Sequence, residues 1–204
     1  DLVPIVSFLA HHGRCRHCGA KLSARHVWAE TVTGAVFVLI VLKFDISLQA
    51  LGALALACVL LAGAFADLEG YIIPDRFVLA GIGLRVVWFF FEDWRTTLPD
   101  ALLGGFAVGG GLLAFVLLYE KLRKIEAMGG GDLKLLFVTG LFFGWKKNLF
   151  CLVLACFLGI FAGFLGKQGR KDENPIPWGP SIALAAWITA FAGDPFINWY
   201  LSLL

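Results

Sequence analysis

The sequence AMGGGDLKLL, residues 127–136, places a run of glycines and two charged residues between long apolar segments. Asp132 follows the glycines directly, and Lys134 comes two residues later. Apolar residues make up 59% of the 204-residue chain and charged residues 16%, with a mean hydropathy of +0.82. A soluble domain is usually about half apolar and about a quarter charged. The composition therefore predicts an integral membrane protein.

Seven apolar segments outside the short polar stretches are candidate membrane spans. A helix needs roughly 20 residues, within a range of about 17–25, to cross a bilayer. The fifth segment is short, and at about 1.5 Å per residue it would cover only about 20 Å. The predicted limits are 30–44, 46–66, 72–91, 101–119, 133–145, 149–165 and 181–203. We therefore predict an all-α, polytopic transmembrane helix bundle with about seven spans.

The basic residues are distributed unequally between the two predicted membrane faces. Seven spans place alternate connections on opposite faces, which puts twelve of the 17 Lys and Arg residues on one face and four on the other. Because basic loops remain on the cytoplasmic side, the first face is predicted to be cytoplasmic, together with the polar N-terminal segment. The formal net charge of +2 gives no indication of nucleic acid as a partner.

Two acidic stretches border predicted spans on this cytoplasmic face. AFADLEGYIIPDR, residues 64–76, contains Asp67, and IEAMGGGDLK, residues 125–134, contains Asp132. Two predicted spans separate the stretches, so the chain leaves the cytoplasmic face and returns to it. Asp67 and Asp132 can therefore meet, and an ionisable group at membrane depth indicates a functional site by default.

A pair of aspartates has a specific chemical use. Two carboxylates held close together share a proton, because both cannot ionise easily. The ionised partner can take a proton from the water that attacks a peptide carbonyl, and the protonated partner can donate to the oxyanion or the leaving amine. Asp67 and Asp132 are therefore the candidate catalytic residues of an aspartyl protease that needs no cofactor, with neither role assigned to one aspartate over the other.

The residues beside the aspartates have both functional and structural interpretations. A glycine run allows unusual backbone conformations and close approach of an extended substrate strand, although glycines are also common in membrane helices. Asp132 could instead cap the following helix. Lys134 could tune the aspartates, contact the substrate or anchor the inner face, and Asp75 indicates a turn or helix start. The predicted supporting residues are Gly129, Gly130, Gly131, Lys134, Pro74 and Asp75.

Four segments together resemble the type IV prepilin peptidases, a family of Gly-x-Gly-Asp intramembrane aspartyl proteases. DLEGYIIPD, residues 67–75, resembles the first aspartate motif of the family, and MGGGDLKLL, residues 128–136, resembles the second. GRCRHCGAKLSARHVWAETVTG, residues 13–34, resembles the cytoplasmic Cys-x-x-Cys segment of the family. NPIPWGPSIALAAW, residues 174–187, resembles its Pro-Phe/Tyr-Gly-Pro segment. The two aspartate motifs on one predicted face make the resemblance specific.

This resemblance implies a multi-pass enzyme of the bacterial inner membrane with its active site facing the cytoplasm. Such enzymes remove the basic leader of type IV prepilins or type II secretion pseudopilins, after a Gly and before the apolar helix. Asp67 and Asp132 match the two catalytic positions. Many members also methylate the new N-terminus with S-adenosylmethionine. The predicted domains are a cytoplasmic Cys-x-x-Cys segment at 1–29 and a transmembrane peptidase domain at 30–204, and the expected partners are the prepilin or pseudopilin and the lipid bilayer.

Cys15 and Cys18 form one Cys-x-x-Cys pair, whereas long members of the family have a second pair upstream. A structural zinc site normally takes four Cys or His ligands. The chain begins at Asp1 rather than Met, so we expect that residues precede it. Those residues, or histidines among His11, His12, His17 and His26, would have to supply the remaining ligands of a zinc site at Cys15 and Cys18. A redox pair is the alternative, without the expected βαβ context.

Two other functions would also use membrane carboxylates and glycines. A proton-coupled transporter would use both, but it predicts paired repeats in the two halves of the chain, and the sequence shows no convincing repeat. Presenilin-like and signal-peptide-peptidase-like enzymes share Gly-x-Gly-Asp and cut different substrates. They typically carry a Tyr before the first aspartate, where this chain has Ala66. The Ile-Pro-Asp sequence that follows Asp67 favours the prepilin peptidases.

Overall fold

The structure is a computed structural model that describes residues 4–16, 18–21, 23–91, 96–124, 128–167 and 177–203. Parts of the quoted motifs, at 17, 22, 125–127 and 174–176, lie outside these ranges. Every regular element in the described ranges is helical, which confirms the predicted all-α fold. The chain divides into two compact units, Asp1–Ala57 and Cys58–Leu204. The helices are α1 (Pro4–Ala10), α2 (Ala24–Phe44), α3 (Leu48–Gly70), α4 (Asp75–Phe89), α5 (Leu98–Leu103), a π-helix (Gly104–Gly110), α6 (Gly111–Arg123), α7 (Gly130–Lys167) and α8 (Gly179–Leu201).

α3 ends at a residue with a rare backbone conformation. Tyr71 has a φ of 55°, in the left-handed region that residues other than glycine seldom adopt. Its N–H donates a 2.9 Å hydrogen bond to the carbonyl of Asp67, which caps the last turn of α3. The chain then runs through 72–74 into α4, whose N-cap residue is Pro74. Asp67 consequently lies one helical turn before a sharp change in chain direction.

α7 folds back on itself at Gly144. This glycine has a non-helical φ of 75° and ψ of 175°. The Asn148 side chain donates a 3.1 Å hydrogen bond to the carbonyl of Leu136, although a straight helix would separate these residues by about 18 Å. The Thr139 hydroxyl also donates to Asn148 Oδ1 at 2.8 Å. α7 therefore has a first arm, 130–143, and a second arm, 145–167, which correspond to the fifth and sixth predicted spans.

The π-helix packs against the fold-back of α7 through glycines. A Cβ added to Gly104 would overlap the carbonyl oxygen of Gly140, and a Cβ added to Gly140 would overlap the carbonyl oxygen of Gly104. Small residues allow helix backbones to approach closely in a membrane, where apolar burial drives little association. Asn148 also donates a 3.0 Å hydrogen bond to the Gly104 carbonyl. This buried contact joins the π-helix to both arms of α7.

The helices agree with a polytopic membrane protein. Within the described chain, five stretches are long and apolar enough to cross a membrane: Ala24–Phe44, Leu48–Gly70, Leu98–Arg123, Gly130–Phe164 and Gly179–Leu201. α4 has 15 residues and is shorter than these. When α4 is included and the two arms of α7 are counted separately, the helices match the seven predicted spans in order. Large apolar side chains on the second arm, such as Phe157 and Phe161, are exposed, as expected of a lipid-facing surface.

Candidate active site

Asp67 lies against the beginning of α8. Its carboxylate accepts a 2.7 Å hydrogen bond from the backbone N–H of Gly179, and the residue is only 5% exposed. Gly179 is the first residue of α8, and a helix N-terminus carries unpaired N–H groups and a partial positive charge that favour a carboxylate. A Cβ added to Gly179 would lie 2.9 Å from Asp67 Oδ2. The contact therefore requires a glycine at this position.

Asp132 lies in the first turn of α7. The two aspartate motifs, which are far apart in sequence, meet in the structure, because Gly131 packs against Ile73 and Lys134 pairs with Asp75. Asp132 Oδ1 is buried and makes no hydrogen bond with any of the described residues. A buried oxygen without a donor costs about 1–3 kcal/mol. This oxygen therefore retains an unused capacity to accept a hydrogen bond.

The glycine run brings the second aspartate motif close to the first. A Cβ added to Gly131 would lie 2.8 Å from the Cβ of Ile73 and 3.3 Å from its backbone nitrogen. A Cβ added to Gly129 would lie 3.1 Å from Asp132 Oδ2. None of the three glycines has a positive φ. The glycine run therefore does not adopt the left-handed backbone conformations that glycine permits. α7 begins at Gly130, and the run instead permits close packing against Ile73 and beside Asp132.

Lys134 and Asp75 form an ion pair at the surface. The Lys134 ammonium lies 2.5 Å from Asp75 Oδ1, and the two side chains are 50% and 68% exposed. Asp75 is the first residue of α4, so the pair links the start of α4 to the first turn of α7. Exposed pairs typically contribute about 0–1 kcal/mol, because water and salt screen them. The ammonium group of Lys134 thus binds Asp75, a residue of the first aspartate motif.

Cys15 and Cys18 lie in a tight hairpin of the N-terminal unit. The Cys15 N–H donates to the carbonyl of Ala20 at 2.8 Å, and the Gly19 N–H donates to the carbonyl of Cys15 at 2.9 Å. Gly19 adopts the left-handed conformation that this turn needs, with a φ of 70°. Cys18 is exposed and Cys15 is partly buried.

This hairpin supplies an incomplete ligand set for zinc. No group of three or more His, Cys, Asp or Glu side chains that could hold a metal ion occurs among the described residues, which do not include His17. Two thiolates are half of the four ligands that a structural zinc site takes. The described residues therefore do not form the predicted zinc site by themselves.

Sequence reasoning quoted Trp178 and Gly179 within the segment 174–187 but did not include them among the predicted site residues. Gly179 donates to the carboxylate, and Trp178 precedes it at the N-cap position. One local signal was present, because Pro180 follows Gly179 and proline favours the first turn of a helix. Proline could indicate where α8 begins, but not that the helix points at Asp67.

A multi-pass helix bundle with an aspartate near the end of one helix and another in the first turn of a second is the arrangement expected of an intramembrane aspartyl protease. Residues 54–164 match the model of the type IV leader peptidase family, and residues 1–44 match the model of the bacterial peptidase A24 N-terminal domain. The chain belongs to the type IV leader peptidase family. The resemblance found in its motifs is thereby confirmed, and this family membership favours a peptidase over a transporter.

Curated relatives agree with the family assignment. The chain is 32% identical over 206 residues to the prepilin leader peptidase/N-methyltransferase of Aeromonas hydrophila, covering 98% of this chain and 69% of that protein. It is 31% identical over 204 residues to the protein of the same name from Pseudomonas putida, covering 99% and 70%. For the Burkholderia pseudomallei (strain 1026b) protein of that name, identity is 34% over 200 residues, covering 95% and 63%. No solved structure matches the chain significantly.

Proposed function

We propose that this chain is an intramembrane aspartyl endopeptidase that removes the basic leader from type IV prepilins or type II secretion pseudopilins. Cleavage falls after a Gly and before the apolar helix of the substrate. The observation that carries the proposal is the packing of the two aspartate motifs on each other, through Gly131 against Ile73 and Lys134 against Asp75, at the ends of apolar helices. The printed names of the relatives supply the substrate class.

In this proposal Asp67 and Asp132 share one proton. The ionised carboxylate removes a proton from a water molecule, whose oxygen bonds to the scissile carbonyl carbon, and the protonated carboxylate donates to the carbonyl oxygen. The tetrahedral intermediate then collapses, the C–N bond breaks, and the amine leaves with a proton from the pair. The Gly179 N–H holds the Asp67 carboxylate in place throughout these steps. No other group is needed to balance the hydrolysis.

The start of α7 is suited to receive an extended peptide. Gly129 and Gly130 are exposed, and they leave the approach to Asp132 free of side chains. The first N–H groups of a helix have no partner within that helix, so they can pair with a substrate backbone. Asp75 and Lys134 support this region by linking α4 to α7, and Pro74 begins the turn into α4.

The orientation and the domain division are part of the same proposal. The excess of basic residues on one face supports an inner-membrane enzyme whose active site faces the cytoplasm. The apolar helix of the prepilin enters from the bilayer while its basic leader remains in the cytoplasm. Residues 1–29 form the cytoplasmic segment, and 30–204 form the peptidase domain.

Methylation of the new N-terminus is proposed from the names of the relatives alone. S-adenosylmethionine would supply the methyl group in that reaction. Structural zinc at Cys15 and Cys18 requires further ligands from outside the described residues.

The test of the peptidase itself is the cleavage of a prepilin in liposomes by Asp67→Asn and Asp132→Asn variants.

A further inference from the structure

Trp178 joins the beginning of α8 to the second arm of α7 by a hydrogen bond. Its indole N–H donates a 3.0 Å hydrogen bond to the carbonyl of Ala155. Gly159 lies one helical turn further along the arm, and a Cβ added there would overlap the indole nitrogen. The indole therefore fits against α7 because Gly159 has no side chain. An alanine at 159 would remove that fit.

This contact fixes the donor that Asp67 uses. Trp178 directly precedes Gly179, whose N–H donates to the Asp67 carboxylate at 2.7 Å. The carbonyl of Trp178 also accepts a 3.0 Å hydrogen bond from Ile182, which belongs to the first turn of α8. Consecutive Cα atoms are about 3.8 Å apart, so a fixed indole leaves the Gly179 N–H little freedom to move.

We propose that Trp178 and Gly159 form a latch that positions the Gly179 N–H against Asp67. Trp178 is a positioning residue, because it contacts Ala155 and Gly159 rather than the reacting groups. It acts on the reaction through Gly179. The inference rests on the proposed function, because it assigns the latch to the same aspartate pair.

The latch matters because separate helical segments carry the two aspartates. Asp132 is in the first arm of α7, Asp67 is in α3, and the latch is on the second arm of α7. The fold-back at Gly144 and the buried hydrogen bonds of Asn148 join the two arms. Lys147 pairs with Asp194 further along α8, so loss of the Trp178 contact would release only the beginning of this helix. That release would leave the Asp67 carboxylate free to move relative to Asp132. Such a displacement slows the chemical step rather than weakening substrate binding.

A double-mutant cycle tests the latch. Gly159→Ala and Trp178→Ala, each assayed on a prepilin in liposomes, should lower kcat about 10- to 100-fold with little change in KM. The double variant should be no slower than Trp178→Ala, because Gly159 acts only by seating the indole. Trp178→Phe keeps an aromatic ring without the N–H donor and should lose about tenfold in kcat.

Gly83→Ala is the matched control, because nothing lies within 4 Å of a Cβ at that glycine. It should keep the kcat of the unmodified enzyme. The latch is wrong if Gly159→Ala and Trp178→Phe both keep kcat within about twofold while Asp67→Asn abolishes cleavage, an outcome that leaves the proposed function intact. It is also wrong if the losses of Gly159→Ala and Trp178→Ala multiply in the double variant. Normal cleavage by Asp67→Asn would overturn the proposed function and the latch together.

Discussion

Gly179 donates a 2.7 Å hydrogen bond from its backbone N–H to the carboxylate of Asp67, across 112 residues of sequence. The donor belongs to the first residue of α8, so the carboxylate also lies in the favourable field of a helix N-terminus. The buried Oδ1 of Asp132, in contrast, makes no hydrogen bond with the described residues. The two aspartates therefore have different surroundings, although their chemistry is the same.

Gly179→Ala should displace the Asp67 carboxylate, because the added Cβ would lie 2.9 Å from Oδ2. A misplacement of about 1 Å at a reacting group can cost about 100-fold in rate. We expect prepilin cleavage to fall about 10- to 100-fold, measured as kcat in liposomes. Gly111→Ala, at a helical glycine with nothing within 4 Å of the added Cβ, serves as the control. Full activity of Gly179→Ala would contradict the contact.

Gly131→Ala should separate the two aspartate motifs, because its Cβ would lie 2.8 Å from the Cβ of Ile73. Neither atom is at the end of a flexible side chain, so the backbone of α7 would have to shift. Overpacking of this kind typically costs about 1–3 kcal/mol. We expect a lower thermal unfolding midpoint in detergent together with slower cleavage. A variant with an unchanged midpoint and rate would show that this close packing is not required.

Loss of the ion pair between Lys134 and Asp75 should have only a small effect. Both side chains are half exposed or more, and such pairs contribute about 0–1 kcal/mol. Lys134→Ala and Asp75→Asn should therefore lower the unfolding midpoint slightly and lose much less cleavage than variants of Asp67. Loss of activity by Asp75→Asn as large as that of Asp67→Asn would give Asp75 a direct chemical role instead.

Asn148→Ala should destabilise the fold-back of α7. The side chain is fully buried, and it bonds to the carbonyls of Gly104 and Leu136 and to the Thr139 hydroxyl. Leaving buried carbonyls without donors costs about 1–3 kcal/mol. We expect a clear fall in the unfolding midpoint in detergent, and Leu149→Ala, at an exposed neighbouring position, should cause a smaller one. Equal midpoints for the two variants would contradict the role of Asn148.

The spans and the candidate aspartates could be predicted because they depend on local sequence. Hydropathy identifies an apolar helix wherever it lies in the fold. Two predicted spans separate Asp67 from Asp132, so both are predicted on one membrane face without any knowledge of packing. The short fifth segment was explained only by the structure. It is one arm of α7, folded back at Gly144 against the second arm. Lys146 and Lys147, two and three residues after Gly144, had indicated the break between these segments in the sequence.

The donor to Asp67 could not be predicted, because it depends on tertiary packing. Gly179 has no charge or side chain that would identify it as a hydrogen-bond donor to Asp67. Its contact with Asp67 depends on how α3, α7 and α8 pack together. The role of the glycine run was also only partly predictable. The sequence indicates backbone freedom, but the requirement for close packing on Ile73 depends on how α7 meets the segment before α4. Contacts between distant segments are the part of the site that composition and spacing do not predict.

The most direct test of the aspartate pair is prepilin cleavage in liposomes by Asp67→Asn and Asp132→Asn, with Asp75→Asn as the control. Each of the first two substitutions removes an ionisable group while keeping the size of the side chain. General acid–base catalysis contributes about 100- to 10,000-fold, so each variant should lose at least about 100-fold in cleavage rate. Asp75→Asn should retain most of the activity. Near-normal cleavage by either Asp67→Asn or Asp132→Asn would contradict the proposed catalytic pair.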